Sequence, residues 1–356
     1  MKGSWSAAVR IGFTFMGTVV GAGFASGQEI LTFFTGFGPA GAWGIVIASL
    51  LFGWLGTRMM RMGARLDAQS YEEFNDYLFG GRLGGWMTVW TGVMLFGVTT
   101  AMMSGTGSLF REQLGLPFHL GVAGTALLAF WVIVRGMSGI LAVNSIVVPA
   151  MILFTVLAAV HAWTADGEAF AGVADPVRTG GHWLLSATAY VAFNLASAQA
   201  VLVPLGAQIK DERTLRLGGW LGGLGLGAML LASHFALGLY FAEASVMEIP
   251  MARVIRALGE GIRLFFLGVL WAEIFTTLVG NVYGLTAGLS GMAGWSRQAS
   301  AIAVFAAGYL LSLIGFPVLV RFLYPLFGYF GLVLLMMLIF RRLPPPWKPV
   351  GKEGSG

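Results

Sequence analysis

The sequence predicts an all-α polytopic membrane protein, with ten transmembrane helices arranged as two inverted five-helix repeats. Three observations carry that expectation. Apolar blocks are long enough to cross a bilayer, basic residues gather on one side of them, and the spacing of the blocks repeats once along the chain. The composition is 57% hydrophobic and 10% charged, against roughly 25% charged in an average soluble domain. So few charges cannot coat a soluble protein of 356 residues.

The composition also excludes several classes. With no cysteine there are neither disulfides nor thiolate metal sites. The net charge of +5 does not mark a nucleic-acid binder, because the charges sit in short loops between apolar spans. Lys2, Arg10 and the apolar run 11–20 have the outline of a signal peptide. The apolar pattern, however, continues through 30–37 without a small-residue cleavage site leading into a polar domain. The run is therefore expected to stay in place as the first span.

Hydrophobic blocks and their punctuation give spans at about 7–36, 39–62, 83–110, 117–134, 140–164, 182–208, 214–242, 260–288, 297–314 and 318–340. Each block approaches or exceeds the ~20 residues needed to cross ~30 Å of hydrocarbon. Turn residues such as Gly38-Pro39, Gly80-Gly81, Leu116-Pro117 and Gly315-Phe316-Pro317 separate them. Residues 67–80 read as an amphipathic segment at the cytoplasmic interface. Residues 245–258 read as a short helix on the opposite face.

Ten spans put both chain ends on one side, and that side then carries 15 of the 21 Lys and Arg residues. The positive-inside rule makes this side cytoplasmic, in a bacterial inner membrane. Spans 1 to 5 are offset from spans 6 to 10 by about 175 to 180 residues. Two repeats of five spans each insert with opposite orientations, which is the plan of many secondary transporters. One transmembrane domain thus fills residues 1–356, with repeats at about 7–164 and 182–340 and a short cytoplasmic tail at 341–356.

The first span of each repeat is unusual. Span 1 holds Gly17, Gly21, Gly23, Ala25, Ser26 and Gly27 near its middle. Each Gly costs roughly 1 kcal/mol against Ala inside a helix, so the cluster predicts an interruption. Span 6 holds Asn194, Ser197, Ala198 and Gln199 with Pro204 following, and it is expected to break as well. Close packing through small residues is the alternative reading for both spans. In span 7, Gly218 with Gly222, and Gly219 with Gly223 and Gly227, give the small-xxx-small spacing of helix contacts.

Of the 16 carboxylates only Glu29 and Glu273 fall well inside spans. A carboxylate at helix centre costs about 2.5–3.5 kcal/mol on insertion scales, which makes both functional candidates and possible proton carriers. Either one could instead cap the free N–H groups of a broken helix. Glu273, Thr276, Thr277 and Gly280 share one helix face, so two hydroxyls accompany the carboxylate. His234 lies inside span 7, where a packed, hydrogen-bonded histidine is the ordinary reading.

The string Gly21-Ala22-Gly23-Phe24-Ala25-Ser26-Gly27-Gln28-Glu29-Ile30 resembles the opening motif of the YkvI-type bacterial membrane proteins. Those resemble members of the amino acid–polyamine–cation superfamily, with the LeuT fold of five plus five inverted helices. In sodium-coupled members the ion sits between the first and eighth helices. The resemblance implies a sodium site made by the carbonyls of Gly17, Val20 and Glu273 with the hydroxyls of Thr276 and Thr277. Other members replace that sodium with a lysine on helix five, and residues 140–163 contain none. Sodium is therefore preferred, with Glu29 or Glu273 carrying a proton as the rival mechanism.

The substrate pocket is expected between the two breaks. Ala22, Gly23, Phe24, Ser26 and Glu29 would line it from span 1, and Tyr190, Phe193, Asn194 and Ser197 from span 6. Thr99, Thr100 and Met103 of span 3 would close it. Carboxylates and aromatic faces without a buried basic residue suit a cationic or zwitterionic solute. Free helix N-termini also leave amino acids open. The expected function is ion-coupled transport of a small amine or amino-acid-like solute by alternating access. A nutrient receptor of the same fold is the alternative. No enzyme motif, cofactor beyond the coupling ion, nucleic-acid partner or obligate protein partner is expected.

Overall fold

The computed structural model describes residues 5–135, 140–165, 182–209 and 211–345, with side chains throughout except at 140–146, 287–288 and 290–293. Lys2, Arg178, Lys210 and the tail beyond 345 lie outside the described residues. The first span consists of α1 (Trp5–Val19), α2 (Ala22–Ser26) and α3 (Gln28–Phe33), closed by a 3-10 turn at Thr35–Phe37. The second span runs through α4 (Pro39–Leu51), a π-helical turn at Phe52–Gly56 and α5 (Thr57–Leu66). A short helix α6 (Tyr71–Phe79) leads to α7 (Gly81–Ser108), whose end is a second π-helical turn at Leu109–Gln113. The helices α8 (Phe118–Arg135) and α9 (Ile140–Ala165) complete the first repeat. The second repeat comprises α10 (Trp183–Ile209), α11 (Glu212–Leu239), the short α12 (Phe241–Ala244) and α13 (Pro250–Arg256), α14 (Glu260–Ala293), α15 (Arg297–Ser312) and α16 (Phe316–Phe340).

Eight of these segments are long and apolar enough to cross a membrane. The remaining two expected spans fall short for identifiable reasons. The first is interrupted, and α15 has 16 residues, about 24 Å at 1.5 Å per residue. The short helices expected in the two longer loops are α6 and α13.

One expectation fails. Span 6 is not broken: α10 is a continuous helix of 27 residues with Pro204 inside it. Its polar side chains bond to their own helix. Asn194 Nδ2 donates to the Tyr190 carbonyl at 3.0 Å and Ser197 Oγ to the Phe193 carbonyl at 3.2 Å. Between Trp183 and Leu205 the helix contains no glycine, so no residue lowers the cost of leaving the helical geometry.

Small residues bring the backbones together, as the glycine spacing of span 7 predicts. A Cβ on Gly218 would lie 2.5 Å from Ile11 of α1, and one on Gly222 would lie 2.6 Å from Phe15. On the other side of α11, a Cβ on Gly223 would lie 2.3 Å from the Gly53 backbone nitrogen, and one on Gly227 would lie 2.2 Å from Ser49 Oγ. The crossing of α5 with α10 is just as close, through Gly63 against Val203 and Gly206 against Met60. Gly328 and Gly331 of α16 meet Ala189 and Ala192 of α10 in the same manner. Lipid offers no hydrophobic incentive for helices to associate, so such close van der Waals seams hold them together.

Polar contacts sort into two groups that match the alternating topology. On the side of the chain ends, Arg61 and Arg65 pair with Glu212, Arg65 also donates to the Pro344 carbonyl, and Tyr77 donates to the Arg342 carbonyl. On the opposite side, Arg111 pairs with Glu248, Arg253 with Glu243, and Arg263 with Glu260.

Candidate functional site

The first span is interrupted twice. The helical ladder of α1 ends where Val20 N–H donates to the Met16 carbonyl, and it resumes where Ala25 N–H donates to the Gly21 carbonyl. The carbonyls between these two bonds leave the i to i+4 pattern. Gly21, at φ −109° and ψ −174°, is extended, and a Cβ there would meet nothing within 4 Å. The second interruption is Gly27, at φ 88°, a left-handed conformation that glycine adopts without steric cost. Ser26 steadies this turn: its hydroxyl donates to the Gly23 carbonyl at 3.0 Å and accepts from Gln28 N–H at 3.3 Å. The glycine cluster thus produces a two-step bend rather than a single gap.

That bend folds α3 back over α2. Glu29, in the first turn of α3, is 3% exposed. Its carboxylate lies on Gly23, where a Cβ would come within 2.1 Å of Oε1. Tyr190 of α10 faces the carboxylate, and Tyr324 of α16 lies close by. Neither Glu29 Oε2 nor the Tyr190 hydroxyl, both buried, closes a hydrogen bond with another group. The Tyr190 ring is fixed by Phe33 and Phe34 of the first span at 5.2 and 5.0 Å between centroids, and by Phe52 of the π-helical turn at 6.0 Å.

On the side away from the chain ends the bend is sealed. Gln28 Nε2 donates to the carbonyls of Met247 at 2.8 Å and Glu248 at 3.2 Å. Glu112 accepts from the N–H groups of Glu248 at 2.5 Å and Ile249 at 3.3 Å, just where α13 begins. Arg111 pairs with Glu248. Beneath α13, Ala25, Met251, Phe154 and Phe266 pack around a cavity of about 10 Å³. Pro250 at the first position of α13 needs no donor partner, which suits a helix start tucked into the protein. The guanidinium of Arg253 on α13 holds the Glu243 carboxyl of α12 below the usual carboxylate range.

Toward the chain ends the arrangement reverses. On α14 the outward stripe runs through Phe265, Gly268 and Phe275, whereas Thr277, Gly280, Asn281 and Gly284 lie on the opposite face and are partly or fully exposed. On α1 the exposed face carries Arg10, Thr14, Gly17, Thr18 and Gly21. On the second half of α10 it carries Ser197, Val201, Pro204 and Gln208. These three faces, largely polar and small, reach the middle of the bundle at Gly21, Ser197 and Thr277. Glu273, one turn further in on α14, is 4% exposed, and its Oε2 has no hydrogen-bond partner.

The expected site residues divide accordingly. Ala22, Gly23, Phe24, Ser26, Glu29, Tyr190 and Asn194 are all buried around the bend. Ser197 is half-buried on the open face. Phe193 turns away, stacking on Tyr324 with centroids 4.5 Å apart, so it packs α10 to α16. Met103 also turns away: its sulfur lies 2.9 Å from where a Cβ would stand on Gly308 of α15. Thr99 and Thr100 donate to the Leu95 and Phe96 carbonyls of their own helix. The expected ion ligands are not assembled. Thr276 Oγ1 donates to the Glu273 carbonyl at 3.2 Å, and the Gly17 backbone is crowded by Val148 of α9. His234 is buried with Nδ1 3.1 Å from Thr35 Oγ1, the packed histidine expected.

Sequence reasoning missed Tyr324, Gln28 and Glu112. Nothing local marks Tyr324 among the aromatics of its helix. Gln28 and Glu112 act on a loop more than a hundred residues away in sequence.

Ten helices in two inverted repeats, with the first span broken over a buried carboxylate, define a membrane protein of the LeuT fold. Solved structures support this: MhsT in complex with L-phenylalanine has a TM-score of 0.64 at 19% identity, covering 92% of this chain and 88% of that one. The inward facing conformation of Mhp1 gives 0.65 at 13% identity, over 93% and 74% of the two chains. A manganese transporter of Eremococcus coleocola gives 0.59 at 14%, over 93% and 78%. No family model matches the chain. It is 36% identical over 345 residues to the uncharacterized membrane protein YkvI of Bacillus subtilis, covering 97% of this chain and 99% of the relative. The chain belongs to the YkvI family of membrane proteins. It is also 25% identical over 351 residues to YyaD of the same organism, over 97% and 99% of the two chains.

Proposed function

We propose that this chain is an ion-coupled secondary transporter of a small amine or amino-acid-like solute, working by alternating access with both termini in the bacterial cytoplasm. One observation carries the reading. The bend of the first span is sealed on one side by Gln28, Glu112 and α13, and on the other it meets exposed polar faces of α1, α10 and α14. A site closed to one compartment and open to the other is one half of a transport cycle. The fold of MhsT and Mhp1 supports the same reading, as does the excess of basic residues on the side of the chain ends.

Sodium is the preferred coupling ion. The available donors suit a small hard cation: carbonyls of Gly17 and Val20 outside the helix ladder, and the hydroxyls of Thr276 and Thr277 on α14. A bound cation would satisfy these oxygens and neutralise the buried carboxylate of Glu273. In this state Thr276 bonds its own helix, so ion binding requires α1 and α14 to draw together. Glu29 or Glu273 as proton carrier is the rival. Thermal unfolding in sodium against potassium chloride, for wild type and Thr276→Ala/Thr277→Ala, separates the two. An ion at a hundredfold excess over Kd adds about 2.7 kcal/mol of stability. Stabilisation by sodium in wild type and its loss in the double variant are expected, and equal unfolding in both salts contradicts sodium coupling.

A further inference from the structure

We infer that the gap between Glu29 and Tyr190 is an ammonium subsite that requires N–H donors, so the solute presents a protonated primary or secondary amine and not a quaternary one. The inference rests on the transport reading and names the chemistry at its centre. Glu29 Oε2 and the Tyr190 hydroxyl face one another, both are buried, and neither has a hydrogen-bond partner. A buried polar atom left unpaired costs about 1–3 kcal/mol, and more when it is charged. Two such atoms side by side therefore want a third group that donates to both. Among the described residues no Lys, Arg or His is recorded in contact with Glu29, so the protein does not supply that group itself.

Several features select an ammonium. Its N–H groups are donors only, which matches a carboxylate and a phenol oxygen, and its positive charge balances the buried carboxylate. Gly23 lets the carboxylate rest directly on the backbone, leaving Oε2 turned to Tyr190. The aromatic packing of Tyr190 against Phe33, Phe34 and Phe52 fixes the phenol, so the gap cannot close by rotation of the ring. Aromatic faces alone would also accept a quaternary ammonium through cation–π attraction. Such a group brings no N–H, however, and its methyl shell would leave both oxygens unpaired.

The test uses purified full-length protein and two probes, n-propylammonium and its N,N,N-trimethyl analogue, titrated by ligand-induced thermal shift at constant chloride. Propylammonium should stabilise wild type, and the trimethyl analogue should bind at least tenfold more weakly. Glu29→Gln should lose tenfold or more in propylammonium affinity, and Tyr190→Phe several-fold with the aromatic packing kept. Equal binding of the two probes, unchanged affinity in Glu29→Gln, or no stabilisation of wild type by propylammonium would overturn the subsite. If Glu29→Gln does not fold, the probe selectivity of wild type and Tyr190→Phe still decides. The sodium and potassium comparison is independent of these results, so the subsite can fail while the transport reading stands.

Discussion

The carboxylate of Glu29 rests on Gly23, six residues earlier in the chain, with Oε1 2.1 Å from the place a Cβ would occupy. The bend at Gly27 makes this contact, and the missing side chain at 23 permits it. Gly23→Ala should push the carboxylate away from Tyr190 and reduce solute binding about tenfold or more. Because the atom it meets ends a flexible side chain, the loss of stability should be small, within roughly 1 kcal/mol. Gly21→Ala, in open space, should leave binding nearly intact. Thermal shift and binding measured on the same two variants check the contrast.

The seams of α11 make a second prediction. A Cβ at Gly223 meets the backbone of Gly53, which cannot rotate out of the way. Gly223→Ala should therefore destabilise by about 1–3 kcal/mol, the usual cost of overpacking. Gly268→Ala on the outward stripe of α14 meets nothing within 4 Å and should be neutral or slightly stabilising. Unfolding midpoints of the two variants in one detergent decide.

The outer seal depends on Glu112. Its carboxylate takes the N–H groups of Glu248 and Ile249. Hydrogen bonds to charged groups contribute about 1.5–3 kcal/mol, so Glu112→Ala should speed amide exchange at these two residues by roughly 10- to 100-fold. Hydrogen–deuterium exchange over residues 245–256 reads this directly, and unchanged protection would remove Glu112 from the seal.

A fourth prediction concerns acid. Asp211 caps α11, accepting from Arg213 and Thr214 N–H at 3.3 Å each. The hydrogen bond from the Thr214 hydroxyl holds its carboxyl below the usual aspartate range. The folded value lies below the unfolded one, so the contribution is fully present above the ordinary pKa of about 3.9. It is lost as pH falls through the lower folded value. Asp211→Ala should cost about 1 kcal/mol near neutrality, with a smaller difference from wild type at acid pH.

Much of this arrangement is legible in the sequence because the bilayer enforces it. A span must be apolar over about 20 residues, so its existence and order can be read directly. The break of span 1 is readable because glycines at 21, 23 and 27 remove the reason to stay helical. Span 6 misleads for the complementary reason: Asn194 and Ser197 look like a polar break, yet each bonds the carbonyl four residues back, a bond that forms within an intact helix. Phe193 and Met103 sit at the expected depth, but rotation about a helix decides which neighbour they meet, and depth alone does not give it. The seal and Tyr324 join distant segments, and no local pattern encodes such pairings.

The central claim is that the bend of the first span is reached from one side at a time. The chain has no cysteine, so Ala25→Cys, beneath α13, and Ser197→Cys, on the open face, can be followed singly with impermeant thiol reagents applied to either side of sealed vesicles. Alternating access predicts that Ser197→Cys reacts only from the side of the chain ends and Ala25→Cys only from the opposite side. It also predicts that a cross-link holding α13 closed abolishes the second reaction and spares the first. Reaction of both positions from one side, or an Ala25→Cys that never reacts even when Gln28 is replaced by alanine, would contradict it.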